Sequence, residues 1–425
     1  MQAWLGTRVY YGWVVVGITA LTLLVAAGVR AAPGVMIKPL EDDMGWSRSS
    51  ISFAISIGLV LYGLAGPLGG AMMDRYGPKA MMLVGLGLTG ASIAVSAAMS
   101  AIWQFTALWG VLSGLGTGAA AIVLGATVAN RWFVAKRGLV TGIFGAASSA
   151  GQLIFIPLLI WLIVSVGWRW SVLVLAAFAV TLIVPVFLLM RDNPTDLGLR
   201  PLGGTDPPVV PRVQGAQTAR TGSVIREAVR VPAFWLLAGT FFICGATSTG
   251  LIGTHMIAYS VDEGISEVTA ASILALMGAM NFVGTIASGW LTDRYDPRKL
   301  LAWYYSFRGL SLFLLPFVTS TWGLAAFAIL FGLDYIATVP PTVTMTADIF
   351  GRHNIGTVFG WIFAAHMIGA AVAAWMGGLV RDALGNYTLA FLTAGVVAIV
   401  GSAMALCIKR ETRLTPEPTA APVPA

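Results

Sequence analysis

Of the 425 residues, 57% are hydrophobic and 10% are charged, whereas a water-soluble domain carries roughly a quarter charged residues to meet solvent over its whole surface. So few charges exclude a soluble globule and make lipid the solvent over most of the perimeter. The net charge of +7 does not mark a nucleic-acid binder, because the basic residues fall in short segments between apolar runs. Two remote cysteines and three scattered histidines make neither a disulfide framework nor a metal site.

Crossing about 30 Å of hydrocarbon takes roughly 20 helical residues, and twelve such runs follow one another. The first, residues 11–35, is too long for a signal-peptide core and has no small-residue cleavage site after it, so it reads as a retained span. Runs at 51–73, 80–100, 103–128, 139–164 and 170–190 complete a first set of six. Residues 192–230 contain Pro194, Pro201, Pro207, Pro208 and Pro211 and few apolar side chains. They read as a linker, with a short interfacial helix expected near 223–229. The second six runs lie at 234–259, 268–291, 300–319, 324–346, 358–379 and 388–408. The expected organisation is therefore all-α and membrane-embedded: an N-terminal six-helix bundle (1–191), a cytoplasmic linker (192–230), a C-terminal six-helix bundle (231–410) and a disordered tail (411–425), rich in Pro and Ala.

The loops sort by charge. Arg8, Arg75, Lys79, Arg131, Lys136, Arg137, Arg294, Arg298, Lys299, Arg352, Lys409, Arg410 and Arg413 fall on the side of the linker, which together with Arg191 just before it adds six arginines. Only Lys38, Arg48, Arg169 and Arg381 fall on the other. Basic loops stay cytoplasmic, so both termini and the linker are expected inside, in a plasma or inner membrane.

Two segments repeat. Gly70-Ala-Met-Met-Asp74-Arg75-Tyr76-Gly77-Pro78-Lys79 matches Gly289-Trp-Leu-Thr-Asp293-Arg294-Tyr295-Asp296-Pro297-Arg298, and Gly138, Gly142 and Gly151 match Gly356, Gly360 and Gly369. All pairs are offset by 218 or 219 positions, the mark of a duplicated six-helix unit. The loop pattern Gly-x-x-x-Asp-Arg-x-Gly-x-Lys resembles the signature of the major facilitator superfamily, and the resemblance covers essentially the whole chain. It implies twelve transmembrane helices in two pseudo-symmetric bundles, the major facilitator fold, with a solute passing between them. Gly70, Asp74, Arg75, Lys79, Gly289, Asp293, Arg294 and Arg298 then form a gating motif, in which each carboxylate caps a helix or pairs with a loop cation in one conformation; the plainer alternative is that they only enforce topology.

A narrower resemblance rests on Tyr11-Gly12-Trp13, Lys38-Pro39-Leu40, Gly45-Trp46-Ser47-Arg48-Ser49, Arg131-Trp132-Phe133, Lys136-Arg137-Gly138 and Asp196-Leu197-Gly198-Leu199-Arg200-Pro201. In this order they resemble the monocarboxylate porter and oxalate/formate antiporter branch. That implies a secondary active transporter of a small organic anion, a (mono)carboxylate, working by proton symport or anion exchange. The chain departs from the branch in span 8, where Asn281 and Thr285 stand in the places of an acid and an arginine one turn apart.

Ionisable groups at bilayer depth cost at least about 2.5–3.5 kcal/mol, so each one needs a reason. They are Arg30, His255, Arg308, Asp334 and His366, and the duplicate positions of the last three hold Thr89, Gly116 and Ser148. Arg308 and Asp334 sit near mid-depth of adjacent antiparallel spans, either as a static brace or as the proton-coupling unit. Arg30 is either an interfacial anchor or the fixed cation for a carboxylate, which Arg grips bidentately, and it is the counterpart of a basic residue in monocarboxylate porters. His366, His255, Asn281 and Tyr335 are the further candidate substrate contacts, with packing the alternative for the histidines. Pro340-Pro341 is expected to interrupt span 10 just inward of Asp334.

The expected partners are a small organic anion, protons and the lipid bilayer. No cofactor, catalytic centre or oligomer is expected. Cationic drug efflux, the competing transport reading, calls for an exposed membrane acid in the N-terminal half, and residues 11–190 contain none at bilayer depth.

Overall fold

A computed structural model of the chain describes residues 10–119, 122–203, 224–318, 320–351 and 354–409, without the side chains of 66–71, 74, 122, 123, 137 and 138. The tail, the middle of the linker and the Asp74 side chain thus lie outside the described residues. Every described element is a helix, apart from one isolated bridge between Phe133 and Leu202. This follows from the solvent, since hydrocarbon offers no partner to a backbone N–H or C=O and a helix closes those bonds within itself.

Span 1 is Gly12–Met44, and spans 2 and 3 form one element, Arg48–Ser96, that breaks at Gly77. Span 4 is Ile102–Trp132, span 5 Arg137–Val166 and span 6 Trp168–Leu189. The second set comprises span 7 (Pro232–Asp262), span 8 (Glu267–Thr292), span 9 (Pro297–Leu314), span 10 (Thr321–Phe350), span 11 (Ile355–Leu384) and span 12 (Thr388–Leu406). Among the described residues, 11 stretches are long and apolar enough to cross a membrane. Span 9 falls outside that set because its 18 residues include Arg298, Lys299 and Arg308.

Two boundaries differ from expectation. Span 1 continues through the supposed loop around Lys38 to Met44. Lys38 holds Asp42 at 2.7 Å one turn on, and the left-handed Gly45 (φ 65°) returns its N–H to Glu41, so the extra turns are stabilised and then stopped. Span 10 breaks at residues 335–338, between the helices Thr321–Asp334 and Val339–Phe350, rather than at the prolines. Pro340 and Pro341 lie in the first turn of the second helix, where a missing N–H costs nothing and the ring has no preceding turn to strike. In the linker, residues 224–228 are helical.

Among the described residues, the most extensive contacts between the halves run along three span pairs. Gly34 of span 1 lies against the carbonyls of Gly253 and Thr254 in span 7, Ser56 of span 2 donates to the Ala371 carbonyl of span 11 at 2.6 Å, and span 5 packs on span 8. At the end where span 2 begins, the seam is tight, since Ser49 N–H donates to Asp382 at 2.9 Å and Gly378 abuts Arg48 and Ser52. Among the described residues, the one ion pair between the halves, Arg48 to Asp262, is also at this end. At the opposite end, which carries residues 10 and 409, Gly142, Gly145, Gly356 and Gly360 face open space and Asp293 and Arg294 are exposed.

The linker begins by closing a gap in the repeat. In the C-terminal half, Asp296 accepts from Arg298 N–H at 3.0 Å and caps span 9. Its counterpart in the N-terminal half is Gly77, with φ 83°, and there Asp192 of the linker accepts from Lys79 N–H at 2.8 Å instead. A Cβ at Gly77 would stand 2.6 Å from the Asp192 carboxylate. The two helix starts thus share an acidic cap, one local and one supplied by the linker. Losing a cap costs about 1 kcal/mol, so Asp192→Ala is expected to speed amide exchange in a peptide spanning residues 78–84 severalfold while leaving the start of span 9 unchanged. Unchanged exchange at Lys79 would show that the linker carboxylate caps nothing.

Candidate functional site

Arg30 projects from span 1, 18 residues beyond its start at Gly12, or about 27 Å along the helix axis at 1.5 Å per residue. Its guanidinium lies 4.8 Å from the ring centroid of Tyr62 in span 2. Stacking on a ring occupies the face of the cation and leaves its N–H edge free. Among the described residues no carboxylate pairs with Arg30, and its field reaches the Tyr335 hydroxyl of span 10 in the other half. The site is thus a half-buried cation on an aromatic platform, without an anion.

From that platform a line of contacts crosses the seam. Tyr62 meets Phe363 of span 11 edge-on at 6.2 Å, and Phe363 stacks on His366 one turn later, at 5.8 Å and 9°. His366 is buried. Its Nδ1 lies 3.2 Å from the Phe241 carbonyl, which can only accept, so Nδ1 carries the hydrogen in the neutral ring and Nε2 keeps its lone pair. Cys244 of span 7 lies within electrostatic reach of His366. Close passage of the two spans allows this, because any Cβ at Gly245 would collide with the His366 carbonyl.

Cys244 leads to the buried ion pair. Its sulfur lies 3.1 Å from Arg308 Nη1 and 3.0 Å from the Thr338 hydroxyl. Arg308 Nε donates to Asp334 Oδ2 at 2.6 Å, Nη1 also reaches Thr247, and Nη2 donates to the carbonyls of Asp334 (2.7 Å) and Tyr335 (3.2 Å). The Tyr335 carbonyl is freed where span 10 breaks, and that of Asp334 keeps a turn bond from Ala337 N–H at 3.2 Å. Asn281 of span 8 serves the same break from the other side, accepting from Ile336 N–H at 3.2 Å. Thr342 and Thr346 donate to the carbonyls one turn before them, at Thr338 and Thr342. Arg308 is fully enclosed and Asp334 nearly so, and the second carboxylate oxygen, Oδ1, is buried with no hydrogen-bond partner.

The duplicated half shows what this place looks like without charge. Thr89 and Gly116, the counterparts of Arg308 and Asp334, pack directly against each other, so tightly that a Cβ at Gly116 would overlap the Thr89 hydroxyl. The scaffold closes here with small neutral residues. The ion pair is an addition to it, and a costly one.

Of the sequence candidates, Arg30, Tyr335, His366, Arg308, Asp334 and Asn281 gather around the seam and the span 10 break. His255 stands apart at the Arg48 end, fully buried, with Nε2 donating to the Ala374 carbonyl at 2.7 Å and Nδ1 accepting from the Tyr387 hydroxyl at 3.0 Å. The gating motif is farther still, at the opposite end. Arg75 is exposed over the Tyr76 ring, Lys79 lies 5.0 Å from the Phe187 ring, Arg294 stacks on Trp290 at 3.9 Å, Arg298 pairs with Asp296 at 2.7 Å, and Gly289 faces open space. Gly70 and Asp74 lie outside the described side chains. Tyr62, Phe363, Cys244 and Thr247 escaped the sequence reading because aromatic, thiol and hydroxyl groups on apolar spans carry no signal of their own. A surface cleft of about 640 Å³, lined by Phe53, Trp103 and Trp375, opens at the edge of the seam, and its lining contains no charged residue.

The model of the Major Facilitator Superfamily matches residues 19–333 and 265–424. Monocarboxylate transporter 13 of Bos taurus is 26% identical over 404 residues, covering 94% of this chain and 89% of its own. The oxalate:formate antiporter of Oxalobacter formigenes is 25% identical over 433 residues, covering 95% of each. Among solved structures, a bacterial homologue of the human lysosomal transporter Spinster, in an inward-facing and unoccupied conformation, superposes with a TM-score of 0.74 at 15% identity over 95% of this chain and 98% of that one. With its helical repeat, its two-half seam and this match from end to end, the chain belongs to the Major Facilitator Superfamily and is a multi-pass membrane transporter, not an enzyme.

Proposed function

We propose that this transporter moves a small organic anion, a carboxylate, through the seam between its halves, by alternating access with proton symport or anion exchange. The observation that carries the reading is Arg30. A guanidinium near the middle of a membrane span needs an anion, and among the described residues it has the face of Tyr62 and the distant Tyr335 hydroxyl but no carboxylate. A carboxylate can bind its free N–H edge in the two-bond geometry that Arg favours. The named activities of the two relatives support the same solute class. Cationic efflux is disfavoured because the described acid at bilayer depth, Asp334, is already held by Arg308.

Proton coupling is assigned to the far end of the contact line. Asp334 offers one oxygen to Arg308 and keeps the other unpartnered, which is where a proton is held without breaking the pair. His366, stacked on Phe363, stands between the Tyr62 platform and span 7. The Arg48 end faces outward, and both termini are cytoplasmic.

Two measurements test this reading. A charge-assisted hydrogen bond is worth about 1.5–3 kcal/mol, so Arg30→Gln should lower uptake of labelled lactate or oxalate into proteoliposomes by roughly tenfold to a hundredfold at limiting solute, with thermal stability close to the parent. Parent-like uptake would make Arg30 an interfacial anchor. The second measurement addresses coupling. Asp334→Asn strands a buried guanidinium and should cost about 3–5 kcal/mol, while Asp334→Asn with Arg308→Gln recovers much of it. The double variant should still exchange solute but no longer accumulate it under an imposed pH gradient. Normal gradient-driven accumulation would reduce the pair to a brace.

A further inference from the structure

Arg48, the first residue of span 2, is fully buried at the end where the halves meet. Nε and Nη2 donate to Glu41 Oε2 at 3.0 and 2.9 Å, Nη1 and Nη2 grip Asp262 Oδ2 and Oδ1 at 2.6 and 2.8 Å, and Nη1 also reaches the Tyr387 hydroxyl at 3.0 Å. A fully enclosed guanidinium is tolerable only when paired in this way.

The partners divide between the halves. Glu41 belongs to span 1, in the half that carries Arg48. Asp262 ends span 7 and Tyr387 precedes span 12, both in the other half. Asp262 has a second cation of its own, Arg381 of span 11, at 2.9 Å. When the halves part at this end, neither charge is stranded, because Arg48 keeps Glu41 and Asp262 keeps Arg381. This removes the usual penalty for breaking a buried ion pair and makes the contact a reversible latch. One feature of Arg48 does change, namely its Nη1/Nη2 edge, which loses a carboxylate held in the two-bond geometry.

We infer that this edge is a mouth site for the transported carboxylate: when the halves part, the incoming anion takes the place on Arg48 that Asp262 fills when they are closed. Anion and Asp262 compete for one fork, so the anion stabilises the arrangement open at this end by its differential affinity. The identity of the ligand rests on the carboxylate reading above, whereas the latch rests on the geometry alone.

Ser52 reports on the latch. It is fully buried one turn from Arg48, with its hydroxyl against Gly378 of the other half. In full-length protein in proteoliposomes, with Cys407→Ser as background, Ser52→Cys can be labelled by a membrane-impermeant maleimide added from the Arg48 side. Sodium lactate or sodium oxalate is expected to raise the labelling rate severalfold over sodium chloride at equal ionic strength. Asp262→Asn should raise it without any carboxylate and remove the further response. Tyr387→Phe should raise it by a smaller factor and keep the response, and it carries the test if Asp262→Asn does not fold. A parent rate in both variants overturns the latch. A raised variant rate with no effect of either carboxylate on the parent overturns the mouth site, even if uptake and its dependence on Arg30 stand. If neither lactate nor oxalate is transported, the carboxylate reading falls instead, while the variant rates still decide the latch.

Discussion

The bond between Arg308 and Asp334 holds the C-terminal half together where its backbone is weakest. Span 10 cannot run straight through Pro340 and Pro341, and the break leaves the Tyr335 carbonyl and the Ile336 N–H without backbone partners and the Asp334 carbonyl with one turn bond, from Ala337. In water such groups would be solvated, but in hydrocarbon each costs several kcal/mol unless the protein answers it. Arg308 answers two carbonyls with one end of its fork and Asp334 with another, and Asn281 answers the N–H. The positions of Thr338, Cys244 and Thr247 follow from this, since they line the remaining edge of the same guanidinium.

Duplication makes the cost visible. Thr89 and Gly116 occupy the matching place in the N-terminal half and need no ions to close it. A repeat that can be built without charge carries a charged pair in only one copy, so the pair serves something the first copy does not do. Packing Met or Leu at both places would remove the desolvation penalty altogether. On the proposed function, what the ion pair adds is a carboxylate that can take up a proton inside the membrane, at the oxygen Arg308 does not hold.

Much of this was legible in the residues. Twelve apolar runs, the paired Asp-Arg loops and the constant offset between halves specify a two-bundle membrane protein, because lipid admits so few backbone solutions. Arg308 and Asp334 stand out as lone opposite charges on neighbouring spans. The answer to Arg48 was not legible. It reads as one of four outer-loop cations, yet its partners Asp262 and Tyr387 lie far along the chain, and only the docking of the halves brings them together. The platform of Tyr62 and Phe363 was hidden for the same reason, as ordinary aromatics on apolar spans. The end of span 1 was misplaced because Lys38 and Asp42, which suggest a loop, in fact brace one more helical turn.

The two basic residues assigned to the anion share a scaffold. Glu41, which keeps hold of Arg48, and Arg30 both stand on span 1, 11 residues apart, or about 16 Å along the axis. Closed at the Arg48 end, the molecule has that guanidinium saturated, while among the described residues no carboxylate pairs with Arg30. Parting that end while each half stays rigid frees the outer fork and leaves Arg30 as it was. An anion entering from that side therefore meets a vacant cation at the mouth and a second one deeper on the same helix, and the mouth can close only when Asp262 regains Arg48. That regain expels any anion still bound there, and the deeper guanidinium is where its charge is next balanced. On the function and the mouth site proposed above, closure and transfer of the anion toward Arg30 are then one event, driven by the rule that no guanidinium stays buried without a partner.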